Sequence, residues 1–165
     1  MRILFVCTGN TCRSPMAEKI FRKILAEEGL NEGIATQSAG TFAYNGVCAS
    51  SNAIRVLESK GITEPHSSQT VTPDLMKWST LILTMTRSHK ASLLQAYPQM
   101  AEKIYTLKEY ANPESPTGIE ISDPFGGSLE VYEECAREIE ESLRELLKNI
   151  KAQQMNTHGQ GLESP

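Results

Sequence analysis

The sequence lacks any long apolar run. Its longest, Ile3 to Cys7 and Leu81 to Leu83, are strand-length, and a membrane-spanning helix needs about 20 apolar residues. It lacks an excess of positive charge: the net charge is -4, so a polyanionic nucleic acid or an anionic membrane surface would be repelled. The N-terminus has no secretory pattern, because Ile3-Leu4-Phe5-Val6 runs straight into Thr8, Gly9 and Asn10. A cytoplasmic location is therefore expected, with the cysteines reduced. There are four of them and no C-x-x-C pair, which argues against a disulfide framework and against structural zinc. No Gly-Lys-Ser/Thr triplet is present, so a Walker phosphate loop is excluded.

What is there alternates strand and helix. Arg2 to Val6 reads as a buried strand. Ser14-Pro15 reads as an N-cap and first helical residue, followed by an apolar face of Met16, Ala17, Ile20, Phe21, Ile24 and Leu25 that ends at Gly29. Ile34 to Ala39 is a second strand. Ala49 to Ser59 is a helix with Ala53, Ile54, Val56 and Leu57 inward. Thr72-Pro73 opens a short helix. Leu81 to Met85 is the third strand, Ser88 to Tyr97 a helix, and Lys103 to Leu107 a weaker fourth strand. Asn112 to Gly127 is a long loop, of a length that is usually functional or disordered. Ser128 caps a last helix with Leu129, Tyr132, Cys135, Ile139, Leu143, Leu146 and Ile150 as its stripe. The pattern predicts one α/β domain over residues 1–152, a parallel sheet with helices on both faces, and a frayed polar tail over 153–165.

Ligands of such sheets bind outside the carboxyl ends of the strands, where the loop Cys7-Thr8-Gly9-Asn10-Thr11-Cys12-Arg13-Ser14 sits. Backbone N–H groups from Thr8 to Arg13 can converge on an anion, and the following helix aims its positive end there. Gly9 is read as supplying a backbone shape that a side chain would block, and Asn10 as suited to a left-handed turn. Arg13 can hold two phosphoryl oxygens in its planar fork. That positive field favours a thiolate at Cys7, a nucleophile aimed at phosphorus. Ser14 can donate to the sulfur as well as cap the helix. A buried cysteine at a strand end is more often a small packing residue; the strand–loop–helix setting is what favours catalysis.

Val6 to Pro15 resembles the signature of the low-molecular-weight protein-tyrosine phosphatase family, and the order of elements is similar up to about Ile150. The resemblance implies a four-stranded parallel sheet flanked by helices, a phosphocysteine intermediate, and neither metal nor cofactor. It implies that Asn10, Ser14, Ser38 and His66 form a network holding the loop open. His66 is then a supporting residue and not a base.

Expelling a leaving group needs a proton, and Asp123 in Ser122-Asp123-Pro124-Phe125-Gly126-Gly127 matches the family's acid loop. Otherwise Asp123-Pro124 would merely start a turn. Thr11 stands where tyrosine-selective members usually carry an aliphatic residue, and together with Asp123 to Gly127 it resembles the protein-arginine phosphatase branch. The expected substrates are phosphorylated proteins, with phosphoarginine ahead of phosphotyrosine, and Phe42 and Phe125 are candidate walls for the flat group. Cys12 is either a packing residue or a partner that traps an oxidised Cys7. A monomer is expected. Arsenate reduction would need further cysteines, and Met85 to Tyr97 has none. A phosphoprotein-binding or redox-sensing module without turnover is the alternative of another class.

Overall fold

The computed structural model describes residues 1–114 and 118–159. Four strands form one parallel sheet in the order β2-β1-β3-β4: β1 Arg2–Cys7, β2 Ala35–Gly40, β3 Leu81–Thr84 and β4 Ile104–Thr106. Its helices are α1 Arg13–Glu27, α2 Ser51–Ser59, α3 Pro73–Trp78, α4 Arg87–Ala96, α5 Leu107–Ala111 and α6 Leu129–Gly159, with a 3-10 turn at Pro98–Lys103. The four-stranded sheet flanked by helices matches the sequence expectation.

β1 is an interior strand, and Ile3 to Cys7 are all apolar and buried because both of its faces are covered. Ile3, Phe5 and Cys7 point into one core with α1, α2, α5 and α6 residues, where Phe5 meets Phe21 edge-on at 6.0 Å. Leu4 and Val6 point into the other, with Met76 of α3, Leu93 of α4, Ile82 and Ile104. The chain turns to opposite sides of β1 to make β2 and β3, so the carboxyl end of β1 is the topological switch point. The segment Thr8–Cys12 leaves the sheet there.

Several local readings need correction. Ser14 does not cap α1: the helix starts at Arg13 behind Cys12, with no side-chain cap, because the Ser14 hydroxyl is engaged elsewhere. Pro15 still falls among the first four residues, whose N–H groups have no helical partner. Ile54 is exposed and not inward, since the covered face of α2 is Ala53, Val56 and Leu57. Leu107 opens α5 and does not end β4. Thr106 and Glu109 cap that helix reciprocally, a Thr-x-x-Glu signature visible in the sequence. Finally, α6 runs through Gly159 instead of stopping at Ala152, and Lys151, just before that point, pairs with Glu28 at 2.8 Å. The remainder of the expected tail, 160–165, lies outside the described residues, as do 115–117 of the long loop. No helix among the described residues is long and apolar enough to cross a membrane.

Candidate active site

Between β1 and α1 the chain closes around a cavity of about 270 Å³ lined by Cys7, Thr8, Gly9, Thr11, Cys12, Arg13, Asp123 and Phe125. The carbonyls of this loop are bound by groups outside it. Cys7 O and Thr8 O accept from the amides of Thr41 (2.9 Å) and Phe42 (3.0 Å). Asn10 O meets His66 Nε2 at 2.7 Å, Thr11 O accepts from Ser50 N at 2.9 Å, and Cys12 O from Met16 N at 3.2 Å. In a trans peptide the N–H points opposite to the C=O. The N–H groups of Thr8, Gly9, Thr11, Cys12 and Arg13 therefore face away from those partners, which is how an anion-binding nest is made.

Asn10 holds the turn. It is the one non-glycine with positive φ among the described residues, at 56°. Its side chain donates to Ser14 Oγ at 2.8 Å and Ser38 Oγ at 2.9 Å, and accepts from the amide of Gln69 at 2.9 Å. Ser38 in turn donates to buried Glu18 at 2.9 Å. Asn10, Ser14, Ser38 and His66 are thus brought together as the resemblance implied, with Glu18 and Gln69 as members that sequence reasoning missed. Gly9 differs from expectation: its φ is not positive, and an added Cβ would meet only Thr11 Oγ1, at 3.8 Å. What glycine supplies at this wall of the cavity is room. The close approach belongs to Gly40, whose Cβ would fall 2.2 Å from Thr8 O.

Cys7 Sγ is buried and lies 2.9 Å from Ser14 Oγ. Arg13 is buried too. Its Nη1 donates to Ile121 O at 3.1 Å, and its Nη2 lies 3.6 Å from Asp123 Oδ2. Asp123 is more than half exposed at the mouth, its Oδ1 accepting from Phe125 N at 3.2 Å. The Asp-Pro turn and the acid position coexist, because one oxygen holds the turn while the other faces Arg13. Phe125 is a largely exposed flap on the rim. Phe42 does not line the cavity. Its ring meets Tyr44 edge-on at 6.4 Å, and its amide donates to Thr8 O.

Cys12 Sγ is 3.2 Å from Tyr132 Oη and 3.4 Å from Ser50 Oγ. Burial raises the Tyr132 phenol above its usual range, so it stays protonated beside this thiol. Cys135 is buried in the core, and desolvation pushes its thiol up to about 12, which leaves it inert. Sequence reasoning also missed His89, whose Nε2 lies 2.8 Å from Thr8 Oγ1. Burial, then the neighbouring Arg13 charge, push this imidazole down to about 4.

Residues 2–156 match the family described as low molecular weight phosphotyrosine protein phosphatase. The chain belongs to that family. Among its phosphatase relatives, a protein named protein-arginine-phosphatase from Bacillus subtilis (strain 168) is 42% identical over 151 residues, covering 92% of this chain and 97% of that one. The low molecular weight protein-tyrosine-phosphatase PtpB of Staphylococcus epidermidis is 36% identical over 139 residues, 84% of this chain and 91% of its own. A solved structure of the YwlE arginine phosphatase, a C7S mutant with a phosphorylated active-site serine, superposes with a TM-score of 0.85 at 42% identity, covering 92% of this chain and 96% of that one. The chain is a phosphatase of this family.

Proposed function

We propose that this protein removes phosphoryl groups from arginine side chains of proteins, through a phosphocysteine at Cys7. The observation that carries the reading is one cavity holding the Cys7 sulfur, the Arg13 guanidinium and the Asp123 carboxyl, with Thr11 in its wall. The relative solved with a phosphorylated serine at its mutated cysteine supports Cys7 as the phosphoryl acceptor.

The Cys7 thiolate attacks phosphorus in line, while Arg13 and the inward amides of the loop hold the equatorial oxygens. As the P–N bond breaks, Asp123 in its acid form gives its proton to the departing guanidine nitrogen. The S–P bond formed in this step is then cleaved by water. Asp123 takes a proton from that water, phosphate leaves, and Ser14 donates to the sulfur as it regains its electron pair. Asp123, which already faces one guanidinium, can pair with that of the substrate. The Thr11 hydroxyl puts a polar group where an aliphatic wall would suit a phenyl ring, and Phe125 can close over the flat group. Phe42, turned against Tyr44, contributes to the outer surface. The protein acts on phosphorylated proteins in the cytoplasm, where Cys7 stays reduced, and needs no second copy of itself for the site.

The test compares hydrolysis of phosphoarginine and phosphotyrosine peptides by wild type, Thr11→Ile and Cys7→Ser. Wild type should prefer phosphoarginine, Thr11→Ile should gain on phosphotyrosine, and Cys7→Ser should be inactive on both. Preference of the wild type for phosphotyrosine would move the protein to the tyrosine-specific branch, in line with its PtpB relative.

A further inference from the structure

The Thr8 hydroxyl has a partner that the mechanism above does not use. His89, on the first turn of α4, is buried and reaches Thr8 Oγ1 through Nε2 at 2.8 Å. Its other ring nitrogen, Nδ1, lies 3.0 Å from Thr86 Oγ1. Thr86 is the N-cap of α4, and its oxygen accepts from the His89 amide at 3.2 Å.

One direction of the chain gives every proton in it an acceptor. With a lone pair of Thr86 Oγ1 taken by the backbone amide, its hydroxyl proton is free for Nδ1. Nδ1 then accepts, and the ring proton of a neutral imidazole sits on Nε2. Nε2–H donates to Thr8 Oγ1, and the Thr8 proton must go elsewhere. Thr8 lines the cavity, so that proton can face an anion held there. The opposite tautomer would turn a Thr8 lone pair toward that anion and leave the Thr86 proton without its acceptor. Charge makes the same choice, because a site built for a phosphoryl group is stabilised by donors and destabilised by lone pairs.

We propose that His89 is a positioning residue: as the Nε2-protonated neutral tautomer it donates to Thr8 Oγ1 and turns the Thr8 hydroxyl proton onto a phosphoryl oxygen. The device rests on the phosphatase reading of the cavity. A neutral ring is needed, and burial together with the Arg13 charge keeps it so. The histidine neither attacks nor exchanges a proton with substrate. It converts a freely rotating hydroxyl into an aimed one, so no orientation has to be found during the reaction.

The experiment has two independent arms. First, two-bond 1H–15N correlation spectra of the wild-type imidazoles at neutral pH should find His89 protonated at Nε2 and bare at Nδ1. The Nδ1 tautomer or an imidazolium would overturn the proposal whatever the enzyme's activity. Second, p-nitrophenyl phosphate turnover is measured for Thr8→Val, His89→Leu, His89→Gln and the Thr8→Val/His89→Leu pair. Each of Thr8→Val and His89→Leu should lower kcat/KM by about tenfold or more, the scale of one hydrogen bond to a charged group. The pair should lose no more than the worse single variant. His89→Gln, which keeps an N–H donor, should recover most of the loss. If His89→Leu costs as much in the Thr8→Val background as in wild type, its effect is general destabilisation and the proposal fails. An inactive wild type with the Nε2 tautomer present would sink the phosphatase reading and leave the hydrogen-bond direction standing.

Discussion

Ser14 Oγ lies 2.9 Å from Cys7 Sγ and at the same time accepts from Asn10 Nδ2 at 2.8 Å. With a lone pair taken by Asn10, the Ser14 proton is free for the sulfur; the other acceptor within reach, Ala39 O, is farther at 3.4 Å. The hydroxyl is thus set to stabilise a leaving thiolate. Ser14→Ala should slow breakdown of the phosphocysteine more than its formation. Stopped-flow assays with p-nitrophenyl phosphate should keep a burst while steady-state kcat falls about tenfold or more, the range for losing an aimed donor.

Asn10 combines a left-handed backbone with three side-chain hydrogen bonds, so two substitutions separate the contributions. Asn10→Gly keeps the φ freedom and loses the bonds. Asn10→Ala loses both, and should be the less stable by about 1 kcal/mol in urea unfolding. Both should lower kcat/KM, because Ser14 and Ser38 lose their common donor.

Asp123→Asn cannot donate or accept the transferred proton. Turnover should drop on the order of 100-fold or more, the typical worth of a positioned acid–base group. The loss in the first step should be smaller for p-nitrophenyl phosphate, whose leaving group needs little help, than for a phosphoarginine peptide. Equal losses on both would take the acid role away from this residue.

Gly40→Ala would set a Cβ 2.2 Å from Thr8 O and 2.8 Å from Ala43 Cβ. The cheapest relief is displacement of Thr8 out of the loop geometry. Activity should fall while far-ultraviolet circular dichroism remains that of the wild type, and the melting temperature should drop by several degrees.

Burial holds both His66 and His89 below their ordinary range, His89 at about 4. For His66 the hydrogen bond to Asn10 O opposes that shift without cancelling it. The unfolded chain therefore binds more protons than the folded one in mildly acid solution. The stability associated with the neutral rings is complete above the unfolded value of about 6.5 and lost as pH falls toward the folded values. Thermal denaturation between pH 7 and pH 4 should drop more steeply for wild type than for His89→Gln.

Much of the site was legible in the sequence because it is local. Cys7, Arg13 and Ser14 are tied by spacing around one turn between a strand and a helix, and Asn10 is among the few side chains suited to its turn. The Thr106-Leu107-Lys108-Glu109 cap was equally readable, although periodicity alone assigned Leu107 to the strand. Ile54 misled because α2 buries a narrower stripe than its apolar residues suggest.

By itself the sequence determined a parallel sheet, a phosphate-sized turn after its first strand, and the residue types able to attack and hold phosphorus. Those follow from periodicity and from contacts within eight residues of chain. Only tertiary structure decided that His89, 81 positions from Thr8, reaches its hydroxyl, and that Phe42 turns away while Phe125 stands at the rim. Hydrogen bonds between segments distant in sequence depend on how β1, β2 and α4 are laid side by side, and no spacing along the chain encodes that.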